Sequence, residues 1–342
     1  MERKYAVDIS DRTKALLESS YVIDGRDPTF LMYSFTKDPK VPYWNNIAVS
    51  GLNAICVDPN WVDAGLRDTA ADLAAWYKRI REHDCVLVEK VADIERAKAE
   101  GKVGFILASQ SPDAIEDNLG FIEVLYKMGM RIMQLAYQRR NYLGEGTGES
   151  SNSGLSRMGF EAIKEMNRVG MLIDVAHANV HTLTDILATT TAPVVNSHSC
   201  VRSLCEDVRN VSDELIKETC KNGGVYCLSA YSDFLVEHGG DTGTTLDDWA
   251  RHMDYLINLV GADHVGIGFD VGEGRNAAEV QILHDGVPGI GNGPAHRYVT
   301  ELVCRAQYPL VVERLVSMGL SDEDIRKIVG GNLHRLFGQV WK

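Results

Sequence analysis

Three short apolar runs of the sequence each end in a side chain that can bind a metal ion or move a proton. They end in His177, His198 and Asp270, and each has the pattern of a buried strand that presents a polar residue at its carboxyl end. Neutral imidazoles bind zinc well, and a nearby aspartate can bind the metal or accept a proton from metal-bound water. A single histidine at a strand end is more often structural. Two on successive strands, with an aspartate on the last, favour a functional site.

A fourth run of the same form, 21–26, ends in Arg26. A guanidinium group stays protonated and cannot donate a lone pair to a metal ion. Arg26 therefore either adds a fixed positive charge to the predicted site or lies elsewhere, pointing to solvent or pairing with an acid for stability.

The elements that must position these residues alternate along the chain. Eight strand-like segments are separated by helical patterns, which predicts parallel strands with crossover helices. The strands are predicted at 20–24, 48–57, 103–108, 130–136, 171–176, 193–197, 224–229 and 264–269, and the helices at 61–82, 114–128, 156–169, 180–187, 212–222 and 245–260. We therefore predict an α/β fold, a (β/α)8 TIM barrel of the metal-dependent hydrolase type, over residues 1–342 as a single domain with C-terminal helices.

The carboxyl ends of the strands converge on one face of such a barrel, so residues distant in sequence become neighbours. The predicted neighbours are Asp24, Arg26, Gln110, Tyr137, His177, His198 and Asp270. Tyr231, Glu273 and His284 fall in the loops after the last two strands and are candidates for selecting a substrate. The glycine-rich segment 285–294 predicts a long loop at the same face, a candidate lid.

Composition excludes several classes of partner. The formal net charge of −13 argues against nucleic acid or an anionic membrane and favours a small molecule. The first eight residues contain no apolar signal-peptide core, and no later run reaches the length of a membrane span, so we expect a cytoplasmic protein. The seven cysteines include no Cys-x-x-Cys pair, which indicates neither a disulfide framework nor a thiolate zinc site. Homo-oligomerisation stays open.

Beyond these patterns, the sequence resembles the membrane (renal) dipeptidase family, peptidase family M19, within the amidohydrolase superfamily. The similarity runs over nearly the whole chain. Its most specific segments lie at 134–137, 141–144, 154–156, 165–168, 174–177, 193–198, 209–211, 266–270 and 330–333.

The resemblance implies roles for several residues. Family dipeptidases hold two zinc ions, and His177 and His198 match the histidine pair of the second ion. Asp270 matches the aspartate that handles the catalytic water, and Arg209 matches the arginine that holds the substrate carboxylate.

The chain departs from the family at the first metal ion. The family's His-x-Asp position reads Arg26-Asp27-Pro28, and Gln110 stands at the position of the bridging glutamate. Two divalent ions close together require bridging negative charge, so the resemblance predicts at most one divalent ion, zinc, or none. The Arg26 charge would then replace the first ion, with a carboxylate such as Asp24 or Asp270 nearby.

These observations predict a hydrolase that cleaves an amide or related C–N bond of a small carboxylate-bearing molecule. In this scheme Tyr137, which replaces a family histidine, or Arg26 stabilises the oxyanion, while Arg209, Gln110 and Tyr231 bind substrate. Two alternatives stay open. One is a lyase or demethylation-linked enzyme acting on an amino-acid-like compound, and the other is a non-catalytic binding protein that has lost its metals.

Overall fold

The strands form one parallel sheet that curls into a nearly closed barrel. The computed structural model describes residues 5–32, 42–60, 62–151, 153–273 and 296–342. The strands are β1 Ile23–Asp27, β2 Ala54–Val57, β3 Val86–Leu87, β4 Gly104–Ser109, β5 Met130–Gln134, β6 Leu172–Asp174, β7 Val195–Ser199, β8 Val225–Leu228 and β9 Val265–Ile267. Their order is β1-β2-β4-β5-β6-β7-β8-β9, and the short strand β3 pairs with β4 outside this path. The predicted (β/α)8 barrel is confirmed, with β3 as an unpredicted addition.

Helices follow the strands and cover the outside of the barrel. They are α1 Asp11–Ser19, α2 Tyr43–Ala48, α3 Leu66–Glu82, α4 Val91–Ala99, α5 Gly120–Lys127, α6 Arg157–Val169, α7 Val180–Thr189, α8 Asp213–Lys221, α9 Ser232–Leu235, α10 Gly239–Thr242, α11 Leu246–Val260, α12 Tyr308–Ser317, α13 Asp322–Arg326 and α14 Asn332–Val340. Helices α1, α2 and α4 were not predicted from the sequence. The others overlap predicted segments, apart from the short helices α9 and α10 after β8.

Capping chemistry sets the ends of α6. The Ser156 hydroxyl accepts a hydrogen bond from the Gly159 amide, and Gly170 ends the helix in the left-handed conformation at φ 90°. Between these caps α6 buries one apolar face, which includes Ile163 and Met166. Burial of this face fixes α6 against the barrel.

Two predicted helices are interrupted. The segment predicted at 114–128 is a 3-10 turn at Asp113–Ile115 followed by α5. The predicted C-terminal helices are interrupted by a π-helical turn at Lys327–Gly331. A Cβ atom on Gly330 would lie 2.3 Å from the Tyr21 carbonyl oxygen, so the close approach of this turn to the chain before β1 requires glycine.

The amino end of the barrel is closed by α14. Leu333, Leu336, Phe337 and Val340 pack with residues from the starts of the strands in one apolar cluster. Because apolar side chains fill this end, a polar site can form only at the carboxyl ends of the strands.

Other findings bear on the class of protein. No helix in the described ranges is long and apolar enough to cross a membrane. All seven cysteines are free thiols, as the sequence predicts. The predicted lid at 285–294 and His284 lie outside the described residues.

Candidate active site

The two predicted metal-binding histidines face each other at the carboxyl end of the barrel. His198 lies in β7, His177 follows β6, and their Nε2 atoms are 2.9 Å apart. Both side chains are buried. His177 has a φ of 67°, which is uncommon for a residue other than glycine and is found often at functional sites. The structure thus brings together the pair that the sequence predicted.

A buried hydrogen-bond chain fixes the tautomer of His198. The Ser197 hydroxyl lies 2.5 Å from an oxygen of Asp174 and 2.6 Å from His198 Nδ1. A carboxylate only accepts, so the single hydroxyl proton goes to Asp174, and Ser197 must accept the Nδ1 proton. This leaves the lone pair of His198 on Nε2, the atom that faces His177.

His198 is also held in the neutral form. Burial lowers the pKa of His198 well below its ordinary value, and the positive charges of Arg26 and Arg209 lower that pKa further. A neutral imidazole with an inward lone pair is the form that binds a metal ion.

Arg26 lies beneath this pair and is fully buried. Its guanidinium donates to Asp58, to Asp174 over 2.8 Å and to the Ser197 hydroxyl over 3.3 Å. Asp58 also accepts a hydrogen bond of 2.8 Å from Gln110 Nε2. The ion pairs of Arg26 are therefore with Asp58 and Asp174, and the charge of Asp270, one of the two carboxylates expected nearby, also raises the pKa of Arg26. The side chain runs along the barrel interior toward the aspartates after β2 and at the end of β6.

The charges in this cluster shift one another's ionisation. Burial lowers the pKa of Arg26, but Asp58 and Asp174 outweigh burial and hold that pKa above its usual value. Burial raises the pKa of Asp58 to about 7, although Arg26 and Gln110 oppose the rise. The cluster is a compact network whose members depend on one another's charge.

Asp24 and Asp27 belong to a second cationic centre. Arg305 is fully buried, and its Nη2 lies 3.2 Å from an oxygen of Asp24 and 3.1 Å from an oxygen of Asp27. The Tyr43 hydroxyl donates to the other oxygen of Asp27 over 2.5 Å. The sequence reasoning missed Arg305, because no local pattern near residue 305 indicates that it reaches β1.

Asp270 completes the carboxyl end of the barrel after β9. Its φ is 56°, and its amide donates to the Arg26 carbonyl over 3.1 Å, which joins the end of β9 to β1. Within the described ranges no three histidine, cysteine, aspartate or glutamate side chains converge closely enough to hold a metal ion. The two imidazoles of His177 and His198 are the described side chains whose nitrogen atoms face each other at this end of the barrel and could serve as metal ligands.

Tyr137 and Arg209 flank the histidine pair. The Tyr137 ring stacks on His177 with centroids 4.2 Å apart. Arg209 is buried, donates to the His198 carbonyl over 3.2 Å and lies over the Phe234 ring at 5.3 Å. Burial lowers the pKa of Arg209, and Asp270 opposes that effect. A cavity of about 180 Å³ lined by Arg209 and His177 opens beside them.

The other predicted substrate contacts lie in different surroundings. Gln110 is buried and uses its amide nitrogen on Asp58. Tyr231 stacks on Phe234 at 4.4 Å and accepts a hydrogen bond from Arg297. Glu273 is buried and accepts from Asn46, so it serves local structure.

Comparison with known proteins places the chain in a family. The sequence model of the membrane dipeptidases, peptidase family M19, matches residues 50–283, a range that begins after β1. The dipeptidase verJ of Clonostachys rogersoniana is 30% identical over 242 residues, which cover 70% of this chain and 56% of that protein. An uncharacterised dipeptidase of Schizosaccharomyces pombe is 29% identical over 303 residues, which cover 84% of this chain and 66% of that protein.

A solved structure agrees with these relatives. An amidohydrolase from Pseudomonas aeruginosa superposes with a TM-score of 0.85 at 31% identity, over 96% of this chain and 99% of that one. The chain spans less than two thirds of the length of the two dipeptidase relatives. The match over residues 50–283 and the identity to relatives show that the chain belongs to the membrane dipeptidase family, peptidase family M19, a family of amide-hydrolysing enzymes.

Proposed function

We propose that this protein is a metal-dependent hydrolase that cleaves an amide or related C–N bond in a small molecule bearing a carboxylate. The observation that carries the proposal is the pair of Nε2 atoms of His177 and His198, 2.9 Å apart, with the lone pair of His198 directed inward. Family membership supports the reaction class. The buried Arg209 beside the pair supports the carboxylate.

We further propose that at most one divalent ion, zinc, binds here. His177 and His198 would hold it, and when bound it supplies a Lewis acid that polarises water. A second ion has no place, because the Arg26 guanidinium carries the positive charge beside Asp58 and Gln110 is a neutral amide.

The remaining steps fall to side chains at the barrel mouth. Asp270 accepts a proton from the attacking water and returns it to the leaving nitrogen. Arg209 orients the substrate through its carboxylate, and the Tyr137 hydroxyl donates to the developing oxyanion. Arg26 has no exposed surface and its two terminal nitrogens already donate to Asp58 and Asp174, so we assign it a positioning role.

Metal content and turnover test the proposal together. Protein purified without chelator should contain one equivalent of zinc or less, and it should release amine from at least one member of a panel of dipeptides and N-acyl amino acids. His177→Ala should remove most of the metal and the activity. The exposed His181 on α7 provides the matched control, since His181→Ala should change neither.

Two results would contradict the proposal. Two equivalents of metal bound at the barrel mouth would show that the Arg26 cluster does not exclude a second ion. A metal-loaded protein that binds carboxylates but cleaves no C–N bond in the panel would favour the lyase or binding-protein alternatives.

A further inference from the structure

A second buried arginine lies at the same end of the barrel as Arg209. Arg297 is 7% exposed, and its Nη1 donates to the Tyr231 hydroxyl over 3.3 Å. Its Cζ lies 5.6 Å from the centre of the Tyr231 ring. Its Nη2 is buried without a hydrogen-bond partner.

A buried guanidinium without an anion is costly, because burial removes the water that would solvate the charge. Arg26 and Arg305 each form ion pairs with two aspartates, which offset the loss of solvation. Over the described ranges Arg297 pairs with no carboxylate, and its one side-chain hydrogen bond goes to a neutral phenol. The arrangement therefore suits an anion that arrives from outside the chain.

Backbone contacts place Arg297 at the carboxyl ends of β8 and β9. The Arg297 carbonyl accepts from the Ser232 amide over 2.9 Å, in the segment after β8. The neighbouring Tyr298 hydroxyl accepts from the Gly272 amide over 3.0 Å, two residues beyond Asp270. Arg297 thus lies at the end of the barrel that carries the candidate active site.

A stacked aromatic pair connects the two arginines. Phe234 lies under Arg209 at 5.3 Å and stacks on Tyr231 at 4.4 Å, and Tyr231 lies under Arg297. Burial raises the pKa of Tyr231, the charge of Arg297 opposes that rise, and the charges of Asp233 and Asp270 add to it. The stacked pair of Phe234 and Tyr231 therefore lies between the guanidinium groups of Arg209 and Arg297 and separates them.

We propose that Arg297 and the Tyr231 hydroxyl form a second anion subsite, and that the substrate carries two carboxylates. This inference rests on the proposed function, in which Arg209 binds the first carboxylate. Arg297 binds the second, on an acidic side chain, through charge-assisted hydrogen bonds from its unpartnered nitrogen. The substrate class is then a dipeptide or N-acyl amino acid that contains aspartate or glutamate.

Calorimetric binding of glutarate and of its monoamide, glutaramate, tests the subsite without any turnover. The two probes differ in one carboxylate. The wild-type protein should bind glutarate at least about tenfold more tightly than glutaramate, a ratio that corresponds to loss of one charge-assisted hydrogen bond. Arg297→Gln should remove this ratio while leaving the glutaramate affinity within twofold.

Matched variants keep the test decisive. Arg139 is exposed and pairs with Asp63, so Arg139→Gln should leave both affinities unchanged. If Arg297→Gln does not fold, Arg297→Lys keeps the charge and should retain part of the preference for glutarate. A wild-type protein that binds both probes equally, or an Arg297 variant that keeps the full preference, would overturn the subsite.

The two proposals fail in distinguishable ways. If glutaramate binding depends on Arg209 while Arg297 has no effect on glutarate, the second subsite is wrong and the proposed function stands. If both arginines bind glutarate but no C–N bond is cleaved, the subsite stands and the proposed reaction is wrong.

Discussion

Among the residues that the structure describes, four buried arginines lie at the carboxyl end of this barrel, and they form two contrasting pairs. Arg26 and Arg305 each contact two buried aspartates. Arg209 and Arg297 are also buried, but within the described ranges their guanidinium groups donate only to neutral oxygens, the His198 carbonyl and the Tyr231 hydroxyl. An arginine that is bonded to two aspartates holds strands together, whereas one whose guanidinium is bonded to no carboxylate is suited to binding an anion.

The contrast also bears on the single metal ion that we propose for this chain. At β1 and β2 a permanent protein cation stands beside Asp58, and it needs no ion from solution. At β6 and β7 the Nε2 atoms of two imidazoles face each other at 2.9 Å. Asp174 and Ser197 join the two halves of the site, because Asp174 accepts from Arg26 and from the Ser197 hydroxyl.

The largest expected effect is on stability, from removing a neutralised arginine. Arg26→Ala would leave Asp58 and Asp174 buried without their cation and should lower the free energy of unfolding by about 3–5 kcal/mol. Urea unfolding at pH 7 measures this. Zinc should stay on the intact histidine pair, while turnover should fall sharply.

The exposed pair of Arg139 and Asp63, 3.0 Å apart, provides the control. Arg139→Ala should cost less than about 1 kcal/mol, because solvent screens that pair. Equal effects of the two substitutions would show that Arg26 is a bystander. Arg26→Lys keeps the charge but lacks the two separate nitrogens that donate to Asp58 and Asp174. Its free energy of unfolding should therefore lie between those of the wild type and Arg26→Ala.

The second effect concerns Arg209, whose guanidinium donates to a backbone carbonyl and to no carboxylate in the described ranges. Arg209→Met should raise KM for a carboxylate substrate at least about tenfold, the loss of a charge-assisted pair worth about 1.5–3 kcal/mol. Metal content and the free energy of unfolding should stay close to wild type, because no buried carboxylate loses its partner. An unchanged KM, loss of metal, or destabilisation as large as that of Arg26→Ala would show that the two pairs do not differ as described.

A third, smaller effect tests the link between the halves. Ser197→Ala removes the acceptor that fixes the proton on His198 Nδ1. Loss of such a support should weaken zinc binding by about 10–100-fold. Competition with a chromogenic chelator measures the affinity. Ser197→Thr keeps the hydroxyl and should stay near wild type, and a Ser197→Ala protein with unchanged affinity would contradict the assigned tautomer.

The sequence was sufficient to predict the barrel and the histidine pair, because both depend on local patterns. Apolar runs marked the eight strands of the barrel, and the residue at the end of each run marked the carboxyl face. Asp58 could have been found in the same way, since it directly follows the apolar run Ala54–Val57. It was overlooked because aspartate after a strand is also common in turns.

The ion pairing could not be predicted, because it depends on which side chains the closed barrel brings together. Arg305 reaches Asp24 across 281 positions of sequence. Arg297 is recognisable only from its burial and its contact with Tyr231. The choice of Asp58 and Asp174 as the partners of Arg26 depends on the closed barrel in the same way. Five aspartates lie in or near β1 at the barrel mouth, and only the three-dimensional structure distinguishes between them; they are Asp24, Asp27, Asp58, Asp174 and Asp270.

The smallest expected effect is also the most direct test of whether Arg26 stands in for a metal ion. Arg26→His combined with Gln110→Glu supplies an imidazole and a carboxylate, the lone pairs that the first metal position now lacks. Pro28 stands where the family's strand-one aspartate would be, so binding should be weak and should require added zinc.

The structure adds a donor to that rebuilt site. Asp58 contacts both Arg26 and Gln110. In the double variant the Asp58 carboxylate would lose its cation, so it would be available to bind zinc. Equilibrium dialysis against excess zinc should therefore give more than one equivalent per chain for the double variant and no more than one for the wild type. Adding Asp58→Asn should return the double variant to one equivalent, because an amide is a poor zinc ligand compared with a carboxylate. If the double variant never exceeds one equivalent, the guanidinium does not occupy the place of a metal ion, and the Arg26 cluster is simply an ion pair that joins β1 to β2 and β6.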